Sequence, residues 1–263
     1  MTSALVEIAW RERPLTLEIA WVGASAASAM ARPTVVFLHE GLGSVAMWKD
    51  FPARLCDALG LRGLVYSRYG YGRSTPKPPG ERWAPDFMHR QAHEVLPALL
   101  AALQIERPVL FGHSDGGSIA LLHAARFETT AVVAVAPHLF VEDISIASIE
   151  KAREAYATTD LRERLARYHD DPDSAFRGWN DVWLSSAFRT WNIEADIATI
   201  RCPVLAVQGE DDEYGTLSQI RAIGRSLPKT RLLAIAKCGH SPHRDQPDAL
   251  IAATQRFIHG VLE

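Results

Sequence analysis

The chain has 263 residues, 48% of them hydrophobic, and a formal net charge of −3. That length suffices for one large two-layer domain or a core carrying a subdomain, while the near-balance of charge excludes nucleic acid and anionic membrane surfaces as expected partners. The three cysteines, Cys56, Cys202 and Cys238, lack any C-x-x-C spacing and argue against a disulfide framework or zinc knuckle; Glu7, Arg11, Glu12 and Arg13 interrupt the N-terminal apolar residues, no apolar run approaches ~18 residues, and a cytoplasmic protein is expected.

In chain order, Leu5 to Trp10 and Leu15 to Val22 are β-forming runs broken by Arg-Glu-Arg-Pro, the pattern of an edge hairpin. Thr34 to Leu38 is a continuous apolar strand of the kind buried on both faces of a parallel sheet. The loop His39-Glu40-Gly41-Leu42-Gly43-Ser44 follows, and Val45 to Leu61 has apolar residues at helical spacing. A strand at Gly63 to Tyr66 leads into the glycine-punctuated loop Ser67 to Ser74, a proline-rich connector, and a long predicted helix from Ala84 to Ile105. His89 and His93 lie one turn apart on it, but with no H-E-x-x-H pattern and no third ligand they read as helix surface rather than a metal site.

Pro108 to Phe111 reads as a strand and Ser118 to Ala125 as a buried helix, with Gly112-His113-Ser114-Asp115-Gly116 between them. Glycines two residues either side of a serine let strand and helix pass closely, which exposes the serine hydroxyl on a sharp turn. The next N–H, that of Asp115, falls at a helix N-terminus, where it can stabilise an anion. Ala131 to Ala136 is another apolar strand. Residues 137–198 contain no strand-like run but three amphipathic stretches, Ser148 to Ala157, Leu161 to His169 and Pro172 to Ser185, the last placing Phe176, Trp179 and Trp183 on one face. The usual reading of such a stripe is packing of a small helical subdomain, and a cap over a pocket needs the same residues. Pro203 to Gln208 returns the chain to the sheet before Gly209-Glu210-Asp211-Asp212; a helix (Leu217 to Leu227), a strand (Arg231 to Ala236), the turn Cys238 to His243 and a closing helix (Leu250 to Leu262) complete it. This alternation implies an α/β fold with a mostly parallel sheet covered on both sides.

Reactive groups in such sheets gather at the carboxyl ends of the strands, where Ser114, an acidic cluster with Asp212, and His240 all fall. A serine becomes nucleophilic when a histidine takes its proton, and the histidine needs an acid to fix its tautomer. On the loop at His39, the segment Arg68 to Ser74, the Gly112 to Gly116 turn, Gly209 to Asp212 and Gly239-His240, the chain resembles the α/β-hydrolase fold family over nearly its whole length. The resemblance implies Ser114 as nucleophile, His240 as general base and Asp212, three residues after Gly209, as the acid; Asp211, Glu142 and Asp143 are alternatives for the acid and His243 for the base. It implies an oxyanion hole from the N–H groups of Gly41 and Asp115, with Leu42 as fallback because Glu40 stands where the family commonly has glycine, and Ser67 where it commonly has Asp. It further implies a core of residues 1–136 and 199–263 with a helical cap at 137–198.

The activity expected is serine hydrolysis of small to medium neutral apolar carboxylic esters, with Glu40, Leu42, Phe140, Trp179 and Trp183 lining the substrate pocket. Glu40 should repel a second carboxylate, and no arginine can be placed beside it from the sequence. The same parts serve thioesters, lactones or C–C bonds, and a non-catalytic binding protein on this scaffold is the alternative of another class. Gly41 to Ala46 also fits the dinucleotide pattern Gly-x-Gly-x-x-Gly/Ala, but lacks the ribose-binding acid about 20 residues on. No metal or organic cofactor is implied, and a small-molecule ester is the expected partner.

Overall fold

The computed structural model describes residues 2–23 and 32–263. Strands β1 (Ser3–Trp10) and β2 (Arg13–Gly23) form an antiparallel hairpin turned at Arg11 and Glu12. Strands β3 (Val35–Leu38), β4 (Arg62–Tyr66), β5 (Val109–His113), β6 (Ala131–Val135), β7 (Val204–Gly209) and β8 (Arg231–Ile235) are parallel to one another, and β2 joins them antiparallel to β4. The order across the sheet is β1-β2-β4-β3-β5-β6-β7-β8.

The central strands β3, β5, β6 and β7 are buried at every position because alternate residues feed two cores. Val36, Leu38, Leu110, Val132 and Ala134 join one apolar cluster, whereas Val35, Phe37, Val109, Phe111, Val133 and Val135 join the other. The helices Phe51–Leu59 and Pro247–Leu262 cover the second cluster; Asp115–Ala124 and the helices within residues 87–102 cover the first. No helix among the described residues is long and apolar enough to cross a membrane.

Two predicted helices are broken, each at a proline. The segment from Val45 divides into a short turn, Ala46–Trp48, and the helix Phe51–Leu59, because Lys49 takes φ 57° and Pro52 opens the new helix in its first turn. The long helix covers Phe87–Arg90, a π turn at Gln91–Val95 and Leu96–Ala102. Pro97 has no N–H to give the preceding turn, and the Leu96 N–H bonds five residues back to Gln91 O.

Between β6 and β7 lie the helices Asp143–Thr158, Leu161–Leu165, Pro172–Trp183 and Glu194–Ile197. Asp171 caps the third by accepting the Ser174 N–H at 2.8 Å. Phe176, Trp179 and Trp183 are all buried on it, with Phe176 stacked on Tyr156 at 3.8 Å between ring centres.

Candidate active site

Ser114 sits between β5 and the helix Asp115–Ala124 with φ 54° and ψ −121°, a conformation an L-residue adopts only when its surroundings impose it. The surroundings here are backbone. A Cβ on Gly112 would stand 2.2 Å from Gly116 O, and one on Gly116 would stand 2.1 Å from Leu38 O. The serine N–H is held by Val135 O at 2.9 Å, and its carbonyl accepts from Gly117 N–H.

Three residues far apart in the chain meet at this turn. Ser114 Oγ lies 2.9 Å from His240 Nε2, and His240 Nδ1 lies 2.9 and 3.0 Å from the two oxygens of Asp212. Asp212 Oδ1 also accepts the N–H groups of Tyr214 and Gly215 at 2.8 and 3.2 Å, and Oδ2 accepts from Gln208 Nε2. Burial pushes the Asp212 carboxyl up, but His240 and the Tyr214 N–H outweigh it and hold the group below the usual carboxylate range, so it is ionised at neutral pH. The alternatives to these residues are engaged elsewhere. Asp211 is exposed; Glu142 accepts from Thr216 and Gln219; Asp143 pairs with Arg189; His243 is buried against Trp48, Phe51 and His113.

A cavity of about 290 Å³ opens over Ser114 and His240. Glu40, Gly41, Leu42, Trp179 and Trp183 line it, and so do Asp115, Ile149, Leu161 and Leu165. Neither the Gly41 nor the Asp115 N–H has a hydrogen-bond acceptor among the described residues. Gly41 must be glycine, because a Cβ would lie 2.3 Å from the Trp179 indole. A larger cleft of about 620 Å³ beside Trp10, Tyr69 and Trp83 is lined by Arg82 and by three arginines paired with carboxylates, Arg11 with Glu94, Arg13 with Glu81 and Arg90 with Asp86.

Two expectations need correction. Phe140 does not line the cavity: it bridges to Asn192 at the base of the helical segment, and its carbonyl accepts from Gln219 Nε2. An arginine does stand beside Glu40, since Arg244 lines the cavity and its Nη2 lies 3.5 Å from Glu40 Oε1. Its sequence signal was only its position four residues beyond His240. The side chains of His113 and Asp115 are both buried in contacts at the site that the glycine-serine pattern does not indicate: His113 Nε2–H donates to His240 O at 2.7 Å, and Asp115 accepts from Trp183 Nε1 at 3.2 Å.

The His89 and His93 pair has other partners. His89 lies 3.6 Å from Asp196, and His93 Nε2 is 3.2 Å from Leu122 O. Among the described residues no group of three or more His, Cys, Asp or Glu side chains is arranged to hold a metal ion. All three cysteines are free, and burial pushes the Cys202 and Cys238 thiols up to about 11.

Residues 35–253 match the model of the Alpha/beta hydrolase family, and the chain belongs to that family. Its relatives include "Putative carbamate hydrolase RutD" from Caulobacter sp. (strain K31), 28% identical over 253 residues that cover 87% of this chain and 91% of that protein. The sn-1-specific diacylglycerol lipase ABHD11 of Mus musculus is 23% identical over 264 residues, covering 86% and 81%. Among solved structures, the enol-lactonase from Burkholderia xenovorans LB400 matches with a TM-score of 0.72 at 21% identity, covering 97% of this chain and 100% of that one. The family and its curated relatives place the chain among the hydrolases, and the solved structure shares its fold.

Proposed function

We propose that the protein is a serine hydrolase of carboxylic esters that works through an acyl-enzyme. The observation that carries this reading is the continuous hydrogen-bonded path from Ser114 Oγ through His240 to the ionised Asp212, with the serine on a strained turn under a cavity. Ser114 Oγ attacks the carbonyl carbon as its proton passes to His240 Nε2, and Asp212 stabilises the imidazolium at Nδ1. The oxyanion is received by the N–H groups of Gly41 and Asp115. His240 then protonates the departing alkoxide; water, deprotonated by the same nitrogen, attacks the acyl-enzyme, and His240 returns that proton to Ser114 Oγ as the acid leaves.

The helical segment between β6 and β7 acts as a cap, and its Ile149, Leu161, Leu165, Trp179 and Trp183 favour an apolar acyl or alcohol group. This lining carries the preference rather than Glu40, whose carboxylate is offset by Arg244. A carbamate is the second reading, favoured by the RutD relatives, since its carbonyl presents the same electrophile to Ser114.

The test is labelling with a fluorophosphonate followed by turnover of a panel of esters, thioesters, lactones, β-diketones and carbamates. One adduct on the wild type and none on a folded Ser114→Ala variant is the expected result. Labelling that survives the substitution would remove the assignment, and absence of turnover on every class would leave a binding protein.

A further inference from the structure

The carbonyl oxygen of Glu40 collects three donors. His39 Nδ1–H reaches it at 2.7 Å, Arg68 Nη2 at 2.8 Å and the Gly43 N–H at 3.1 Å. A peptide unit is planar and trans, so its C=O and the following N–H point in opposite directions. Fixing the Glu40 carbonyl therefore fixes the direction of the Gly41 N–H, away from Arg68.

These contacts form a closed set. The backbone N–H of Arg68 donates to His39 Nε2 at 2.9 Å, which makes that nitrogen the acceptor and leaves the ring proton on Nδ1 for the Glu40 carbonyl. Burial and the Arg68 charge hold His39 well below the usual imidazole range, so the ring stays neutral and this tautomer persists.

Arg68 also reaches the other half of the site. Its Nη2 lies 3.8 Å from the carboxylate of Asp115, the residue that supplies the second N–H. Arg68 is fully buried with its guanidinium 4.7 Å from the centre of the Tyr71 ring, and among the described residues its Nε and Nη1 have no hydrogen-bond partner. Buried charges are costly to desolvate, and a well-packed apolar residue commonly serves stability as well or better. The fold alone gives little reason for a guanidinium here.

The geometry points to Arg68 as a positioning residue for the oxyanion hole. It locks and polarises the Glu40–Gly41 peptide so that the Gly41 N–H is aimed at the cavity, and it offsets the Asp115 carboxylate, which would otherwise oppose an oxyanion held by the adjacent N–H. This rests on Ser114 being the nucleophile.

The experiment uses Arg68→Lys, which keeps the charge but loses the planar fork, and the double variant Arg68→Met/Asp115→Asn, which removes both charges together. Wild type and variants are compared in hydrolysis of p-nitrophenyl acetate and in inhibition by phenylboronic acid, whose tetrahedral serine adduct places an oxygen in the hole. Because losing one oxyanion donor outright costs ~10²–10³ in kcat, the double variant should lose roughly 10- to 100-fold, with Arg68→Lys between it and wild type. KM should stay within about threefold, and the boronate Ki should rise by about the same factor as kcat falls.

A folded double variant that keeps its kcat, or one whose KM rises while boronate affinity holds, would overturn the inference. If the double variant does not fold, unchanged kcat and boronate affinity in Arg68→Lys would overturn it. A wild type that takes up no fluorophosphonate would instead remove the reading of Ser114, and this inference with it.

Discussion

His113 donates its Nε2–H to the carbonyl oxygen of His240 at 2.7 Å, so the residue immediately before Ser114 holds the main chain of the residue whose imidazole meets the Ser114 hydroxyl. The other ring nitrogen of His113 lies 3.5 Å from Glu40 Oε2. Strand β5, the loop after β3 and the turn after β8 are thereby tied at one point. In His113→Phe the ring volume remains but the donor is lost. Stability should fall by about 1–3 kcal/mol as the His240 carbonyl loses its partner, and kcat by roughly tenfold as the imidazole loses its fixed position. Urea unfolding and steady-state kinetics on one preparation check both; a variant as stable and as active as wild type would leave the contact without a role.

Asp212→Asn should lower the acylation rate by roughly 10³–10⁴, because the amide cannot hold the required imidazole tautomer. Asp211→Asn should cost under about tenfold, as its side chain is exposed and outside the hydrogen-bonded path. Single-turnover labelling with the fluorophosphonate measures both, and the opposite ranking would move the role to Asp211.

Gly41→Ala should drive a methyl group into the Trp179 indole, which stands 2.3 Å from the position of the new Cβ. The loss in kcat/KM should reach roughly 10², the scale of a displaced oxyanion donor. In Gly41→Ala/Trp179→Ala the clash is gone, so the double variant should recover more than tenfold over the single one, a coupling above about 1.4 kcal/mol. Additive losses in the cycle would show that the two residues do not collide.

Each methylene added to the acyl chain of a p-nitrophenyl ester should raise kcat/KM about fourfold, the equivalent of ~0.8 kcal/mol of burial. A cavity of about 290 Å³ holds space for roughly ten waters at ~30 Å³ each, so the rise should flatten before octanoate. Leu161→Trp narrows the cavity from the helical side and should move the plateau to a shorter chain. A flat profile from acetate to octanoate would contradict an apolar acyl pocket.

His123 is buried with Nδ1–H donating to Ala92 O at 2.9 Å, and burial lowers its pKa from 6.5 to about 4. The folded state thus resists a proton that the unfolded chain accepts. Its contribution to stability is fully present above pH 6.5 and is lost as pH falls toward about 4. In His123→Asn the donor is retained without the titration, so the slope of unfolding free energy against pH in that window should decrease by up to about 1.4 kcal/mol per pH unit. Chemical denaturation between pH 4.5 and 7.5 reads this directly, and parallel curves for the two proteins would refute it.

By itself the sequence determined the strand and helix alternation, the turn at Ser114 and the chain order of serine, acid and histidine. These are local matters: short apolar runs set between turn residues read as strands buried on both faces, and Gly112 and Gly116 permit backbone contacts that any Cβ would block. Prolines inside apolar runs, such as Pro52 and Pro97, marked where two periodic segments break, although periodicity alone suggested continuous helices. Tertiary structure decided the partners. Asp212 faces His240 while Asp211 faces solvent because β7 and β8 are neighbours in register, which sets the acid turn beside the histidine turn. The same packing sent Phe140 to the base of the helical segment, brought Arg244 to Glu40, and buried Arg68 against the Glu40 carbonyl. Each of these pairings joins residues 28 or more positions apart, a separation at which spacing carries no orientation and only the order of strands in the sheet determines which side chains meet.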